Sequence, residues 1–190
     1  MSYHFAQAST RDHLHQIKQL QLTNLKRSLT PEEIVEEGFV TCEHSMALLE
    51  KMNHPDGHIL ALREEEVVGY CLVMSPSWRD ELDVLKPMFE KIERIAKDHE
   101  TLSPSNYIVM GQVCIDKAHR RQGLFKGMYN YYRSCLSDKY RYCITEVATE
   151  NTRSLSAHKA VGFEALYSYD VDDGRSWVVV IWDWSKHTTL

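Results

Sequence analysis

A mixed α/β fold is predicted by three features of this sequence. First, strand-like apolar runs alternate with helical periods in the order β, helices, ββ, helix, β, α, β, α, ββ. Second, the 190 residues are 43% hydrophobic and 26% charged, with only eight Gly and five Pro. That composition excludes a disordered, collagen-like or low-complexity chain. Third, a chain of this size buries about 70% of its open surface, enough for a core without metal or disulfide staples. The whole chain, 1–190, reads as a single domain with an inserted helical segment at about 75–105.

The elements follow in order. Residues 3–8 make a first strand. Thr10 to Asp12 give polar start signals, after which Leu14, Ile17, Gln21 and Leu25 recur at helical spacing. Pro31 fits the first turn of a short helix carrying Glu32, Glu33, Glu36 and Glu37, ended by Gly38 and Phe39. Another helix fits 43–52. Residues 58–63 and 67–74 form a hairpin turning at Glu64-Glu65-Glu66 and closed by Pro76. Residues 84–97 are amphipathic, with Leu85, Met88, Phe89, Ile92, Ile95 and Ala96 on one side. This helix packs on the sheet or serves as a lid or a contact in a homodimer. A strand at 107–115 leads through a charged loop into a helix opening at Gly123, whose apolar stripe is Leu124, Met128, Tyr131 and Cys135. A strand at 140–149 precedes a helix that begins at Asn151 and ends near Val161, with Gly162 just beyond it. Strands at 163–171 and 177–184 flank a turn at Asp172-Asp173-Gly174.

The net charge of −5 argues against a general binder of nucleic acid or anionic membranes. The longest strongly apolar run, 178–182, is far short of the ~20 residues that span a bilayer. The start, Met1-Ser2-Tyr3-His4, has neither the basic nor the apolar region of a secretory signal. Cys42, Cys71, Cys114, Cys135 and Cys143 form no C-x-x-C pair and read as small hydrophobes in a reducing compartment. A cytoplasmic location is the expectation.

Against the acidic whole stands one basic cluster: Lys117, His119, Arg120, Arg121 and Lys126. A strand ends at Ile115, basic residues turn the corner, and a helix starts at a glycine. The first turn of a helix has N–H groups without intrahelical partners and a positive dipole end. Gly123 lets an anion approach the backbone. Together these make a pyrophosphate cradle. The plain alternative is an ordinary strand–loop–helix turn with a solvated basic patch. Neither G-x-x-x-x-G-K-[ST] nor G-x-G-x-x-G is present.

The corner resembles the R-x-x-G-x-G/A signature of the GCN5-related N-acetyltransferase (GNAT) superfamily through Arg120, Gly123 and, loosely, Phe125. Phe125 stands where the family usually has Gly or Ala. A second segment is similar to the family's N-x-x-[AS]-x-x-x-[YH]-x-x-x-G-F, through Asn151, Ser154, His158, Gly162 and Phe163. The close resemblance covers roughly residues 107–165. It implies a mixed, mostly antiparallel sheet with helices on both faces and a splayed parallel pair, 107–115 and 140–149. Acetyl-CoA is the implied cosubstrate, lying in the gap. Backbone groups of Val113, Cys114 and Ile115 would pair with its pantetheine arm. Arg120 and the N–H groups of Arg121, Gln122, Gly123, Leu124, Phe125 and Lys126 would hold its pyrophosphate. Asn151 would bind pantetheine or cap its helix, with Ser154 beside it on the same face.

Acetyl transfer from a thioester to an amine needs deprotonation of the amine, stabilisation of an oxyanion, and protonation of the departing thiolate. No enzyme nucleophile is needed if the amine attacks directly. His158 occupies the family's usual Tyr general-acid position and is either that acid, as imidazolium, or a packed helix histidine. Glu146 sits in the apolar run Ile144-Thr145-Glu146-Val147, where a charge is costly unless solvated or paired. It is either the base or a salt-bridged residue at a sheet edge. Glu36 and Glu37 are rival bases, and the four glutamates together would attract a cationic amine or form a solvated face. His13 with His15, and His54 with His58, lack a third ligand in register, so no metal is expected.

The expectation is an acetyl-CoA-dependent N-acetyltransferase acting on an amine acceptor, a small molecule or a peptide. The alternatives are a non-catalytic acyl-CoA-binding module and a phosphate-anchored binding protein without CoA.

Overall fold

A computed structural model describes residues 2–79, 86–97, 100–171 and 174–186. Seven strands form its sheet: β1 (His4–Gln7), β2 (Ile59–Arg63), β3 (Glu66–Met74), β4 (Tyr107–Ile115), β5 (Tyr142–Ala148), β6 (Glu164–Asp170) and β7 (Ser176–Asp183). Their order is β1-β2-β3-β4-β5-β7-β6. All neighbours are antiparallel except β4 and β5. Six helices accompany them: α1 (Arg11–Asn24), α2 (Pro31–Glu37), α3 (Met46–Met52), α4 (Lys86–Glu93), α5 (Leu124–Leu136) and α6 (Thr152–Val161). Among the described residues no helix is long and apolar enough to cross a membrane.

The helix starts follow from side-chain caps. Thr10 accepts from the His13 N–H at 3.1 Å to open α1. Thr30 and Glu33 form a reciprocal capping box ahead of Pro31, and left-handed Gly38 ends α2. Ser45 accepts from the Leu48 N–H, so α3 starts at Met46 rather than at residue 43.

Each face of the sheet carries its own core. Leu14 and Ile17 of α1, Leu49 and Met52 of α3, and Phe89 and Ile92 of α4 are buried in one. The other holds Leu124, Met128, Tyr129, Tyr132 and Leu136 of α5 with Val161 of α6. The α5 stripe is therefore offset from the expected one. Tyr132, not Tyr131, goes under the sheet, where its hydroxyl donates to the Val109 carbonyl at 3.0 Å. Tyr131 stacks on Phe5 at the rim. The inserted segment packs α4 on the α1 face, and the helix stops at Glu93 rather than 97. Ala96–Lys97 instead pairs with Glu100–Thr101. Leu85 and the turn residues Asp172 and Asp173 lie outside the described residues.

Two departures from regularity open the sheet. The parallel pairing of β4 with β5 holds at Tyr107↔Tyr142, Ile108↔Cys143 and Val109↔Ile144 and then ceases, although β4 runs on to Ile115. At the same point the β3–β4 register slips, Val73 facing Met110 and Leu72 facing Gln112. Gly111 is the extra residue of this bulge. A Cβ there would lie 2.0 Å from the Met74 sulfur, so any other residue would have to displace that side chain. β4 swings away from β5 and leaves a wedge in the middle of the sheet.

Candidate active site

The wedge holds two adjoining cavities. The outer one, about 270 Å³, lies between the loop after α2, the end of β4, the β4–α5 corner and α6. The inner one, about 190 Å³, reaches toward β5 and α4. Phe39, Val40, Val113, Asn151 and Ser154 belong to both walls.

The outer cavity is built around the start of α5. Arg121 (φ 61) and Gly123 (φ 77) are both left-handed and swing the chain into the helix. Gly127 N–H is the first to bond back, to the Gly123 carbonyl at 2.9 Å. The N–H groups of Leu124, Phe125 and Lys126 thus have no helical acceptor, and the helix dipole adds positive potential. A Cβ on Gly123 would touch nothing within 4 Å. Its backbone angle demands glycine, and the space beside it is open to a ligand.

The basic cluster divides on inspection. Arg120 donates to the Ile115 carbonyl (3.1 Å), Glu37 (2.5 Å) and Asn24 (2.8 Å). Its guanidinium braces the corner against α1 and α2 and also lines the outer cavity. Lys117 pairs with Glu33. His119 is buried, with Nδ1 3.0 Å from the Tyr3 hydroxyl. Arg121 and Lys126 remain exposed, with no ion pair among the described residues. Gln122 and Lys126 stand outside the cavity wall, whereas Arg121, Gly123, Leu124 and Phe125 form it. Arg153, exposed at the start of α6, also lines it. Sequence reasoning missed Arg153, though it sits inside the Asn151–Ser154 motif.

Of the α2 glutamates, Glu37 lines the outer cavity. Hydrogen bonds from Lys117 and Arg120 hold the Glu33 and Glu37 carboxyls below the ordinary range. Glu32 and Glu36 are exposed, and none of the four lines the inner cavity.

On β4, Asp116 N–H bonds the Val68 carbonyl of β3. By strand alternation Cys114 also faces β3, while Val113 and Ile115 turn their backbone groups to the wedge. The Ile115 carbonyl is taken by Arg120, so Val113 presents the open backbone pair. Cys114 lines the cavity, but burial pushes its thiol up to about 12. Asn151 makes two contacts. It caps α6 by accepting from the Ser154 N–H (3.2 Å), and its amide donates to the Phe39 carbonyl (3.1 Å), fixing the shared wall.

Glu146 lies on interior strand β5 and lines the inner cavity. Its Oε1 is buried without a hydrogen-bond partner. Burial raises its pKa, opposed by a hydrogen bond from Tyr169 and by the charge of Lys91. Lys91 sits on α4 with Nζ 3.7 Å from the Tyr169 ring centroid, so the insertion reaches this carboxylate.

His158 is 1% exposed and lines the inner cavity. Nδ1 lies 2.8 Å from the Ser154 carbonyl, which can only accept, so Nδ1 carries the proton. Nε2 then accepts from the Tyr129 hydroxyl at 2.6 Å. Phe125, Tyr129 and Phe163 surround the ring. Burial lowers the pKa to about 4, so the imidazole is neutral at pH 7. Among the described residues no group of three His, Cys, Asp or Glu could hold a metal ion.

A wedge between parallel strands, facing a helix N-terminus on one side and a buried carboxylate on the other, is the arrangement that the resemblance to the acetyltransferases implies. The sequence matches the model of the acetyltransferase (GNAT) family over residues 21–163, and the chain belongs to that family. Acetyl-CoA is accordingly its cosubstrate. Comparison with functionally curated proteins gives no sequence match. Solved structures share the fold at low identity. The ribosomal-protein-S18-alanine N-acetyltransferase of Escherichia coli is 10% identical, with TM-score 0.63 over 100% of this chain and 99% of its own. Ard1 of Thermoplasma volcanium is 15% identical, with TM-score 0.63 over 95% and 97%. Arabidopsis thaliana NAA60, solved with acetyl-CoA, is 12% identical, with TM-score 0.62 over 96% and 99%.

Proposed function

We propose that this protein transfers the acetyl group of acetyl-CoA to a primary amine by direct attack in a ternary complex. The observation that carries the reading is the junction of the two cavities, with the α5 N-terminus on one side and Glu146 on the other. Bound acetyl-CoA supplies an activated acetyl thioester. The free N–H groups of Leu124 and Phe125, with Arg121 and Arg153, hold its pyrophosphate. Val113 offers backbone groups to the pantetheine arm. Ser154, on both walls, offers a hydroxyl to the departing thiolate. Glu146 takes the amine's proton. Its raised pKa makes it a better base than a solvated carboxylate. His158, neutral and caged, positions Tyr129 and the α6 backbone instead of donating a proton. The five free cysteines support a reducing, cytoplasmic setting.

The test is release of CoA thiol from acetyl-CoA in the presence and absence of a panel of amines and peptides. Amine-dependent thiol release with a matching acetylated amine supports the reading. Saturable acetyl-CoA binding without product from any amine would make the protein an acyl-CoA-binding module.

A further inference from the structure

We propose that the acceptor is a primary monoamine carried on an uncharged, apolar stem, an inference that rests on the transferase reading of the site. The charge inventory of the inner cavity carries it. Among the described residues of its wall, Glu146 is the one carboxylate, and no Lys or Arg is present. His44 and His158 are held neutral by burial. One carboxylate accommodates one ammonium. A second ammonium would enter the cavity without a counter-charge. A carboxylate next to the amine would find no cation on the described wall and would stand beside Glu146. Either group loses its hydration with nothing in exchange.

The rest of the wall fits an apolar stem. Met74, Met88, Met110, Val109, Phe39 and Trp177 contribute to it. Methionines adapt to irregular apolar shapes, and three of them admit a flexible or branched stem. The cavity, about 190 Å³, is below the ~300–1,000 Å³ of pockets for drug-sized ligands, so the stem is small. Met88 comes from α4 and is half-buried. The insertion thus closes the apolar end of the site while Lys91, on the same helix, acts on Glu146. A free monoamine and the first residue of a peptide with a large apolar side chain share this chemistry.

The test uses the full chain at saturating acetyl-CoA, with acetylated product measured by mass for matched acceptors. These are leucinamide, leucine and lysinamide; hexylamine and 1,6-diaminohexane; and a peptide amide beginning with Leu. Leucinamide should exceed leucine and lysinamide, and hexylamine the diamine, by roughly 10- to 100-fold in kcat/KM. A peptide better than leucinamide identifies a chain terminus as the source. An inert peptide beside reactive monoamines identifies a free amine. Preference for leucine, lysinamide or the diamine overturns the acceptor class and leaves the transferase reading standing. No transfer to any amine, from protein that binds acetyl-CoA, overturns the transferase reading and this inference with it. Met88→Glu should lower the hexylamine-to-diamine ratio at least about tenfold, while Met88→Gln, of the same size, leaves it unchanged. An unchanged ratio in folded Met88→Glu would remove the stem from the α4 end of the cavity.

Discussion

Lowering the pH from 7.5 to 5.5 should strip this protein of about 4 kcal/mol of stability through three buried histidines. Val73 N–H can only donate, so His58 Nδ1 accepts it, and Nε2 donates to the Leu49 carbonyl. His44 Nδ1 faces the Gln21 amide nitrogen at 2.9 Å. His158 is filled by Tyr129 and Ser154 as described. In the His58 and His44 rings a second proton would face a donor, and burial lowers all three pKa values to about 4. A folded value below the unfolded ~6.5 means the fold prefers the neutral ring. Stability is therefore full above about pH 6.5 and is lost as pH falls toward 4. At pH 5.5 linkage gives a loss of about 1.4 kcal/mol per histidine, against a typical total of about 5–15 kcal/mol. The carboxyls held low, Glu33, Glu37, Glu43 and Asp183, withdraw support only below about pH 4.5. Glu146, held high, has the opposite sign and reduces the fall slightly. Urea unfolding at the two pH values measures the difference. A change below about 1 kcal/mol would refute neutral, fully engaged histidines and reopen His158 as an imidazolium.

Glu146→Gln removes the base and also an ionised group that burial disfavours. Its single-turnover rate should fall about 10²–10⁴-fold with acetyl-CoA affinity within a few-fold. A gain of about 1 kcal/mol raises Tm by about 2–4 °C; a lower Tm with an unchanged rate would instead mark a structural glutamate. Gly123→Val forces a β-branched residue to φ 77 at the pyrophosphate corner and should weaken acetyl-CoA binding, read by calorimetry, far more than binding of pantetheine. Equal loss for both ligands would mean misfolding. Gly111→Ala drives a Cβ into Met74 and should cost about 1–3 kcal/mol in denaturant unfolding; a neutral effect would mean that the bulge relaxes freely.

The strands and helices were legible because their signals are local: apolar period, caps and glycines that end helices. The two halves of the cofactor cleft were legible for the same reason, since Gly123 and Asn151 act through their own backbone and nearest turn. Arg120 was not, because its partners Glu37 and Asn24 lie over 80 residues away in sequence. A basic cluster does not reveal which cations are already neutralised. His158 shows the same limit. Its spacing placed it in the site, but its protonation is set by Tyr129 on another helix. The Gly111 bulge and the reach of α4 to Glu146 depend on packing between distant segments and leave no periodic trace. Glu146 stood out because a carboxylate in an apolar strand demands an explanation at any sequence distance.

The central claim, transfer by direct attack, is tested most directly by mass spectrometry of the intact enzyme and the amine together. Of the thiols on the two cavity walls, Cys114 is buried with a raised pKa and Cys42 is exposed. With acetyl-CoA alone the enzyme mass should stay unchanged. With acetyl-CoA and a primary amine, the acetylated amine should appear in step with CoA thiol. An enzyme that gains one acetyl group from acetyl-CoA, most tellingly at Cys42, and passes it to amine added later would contradict the account.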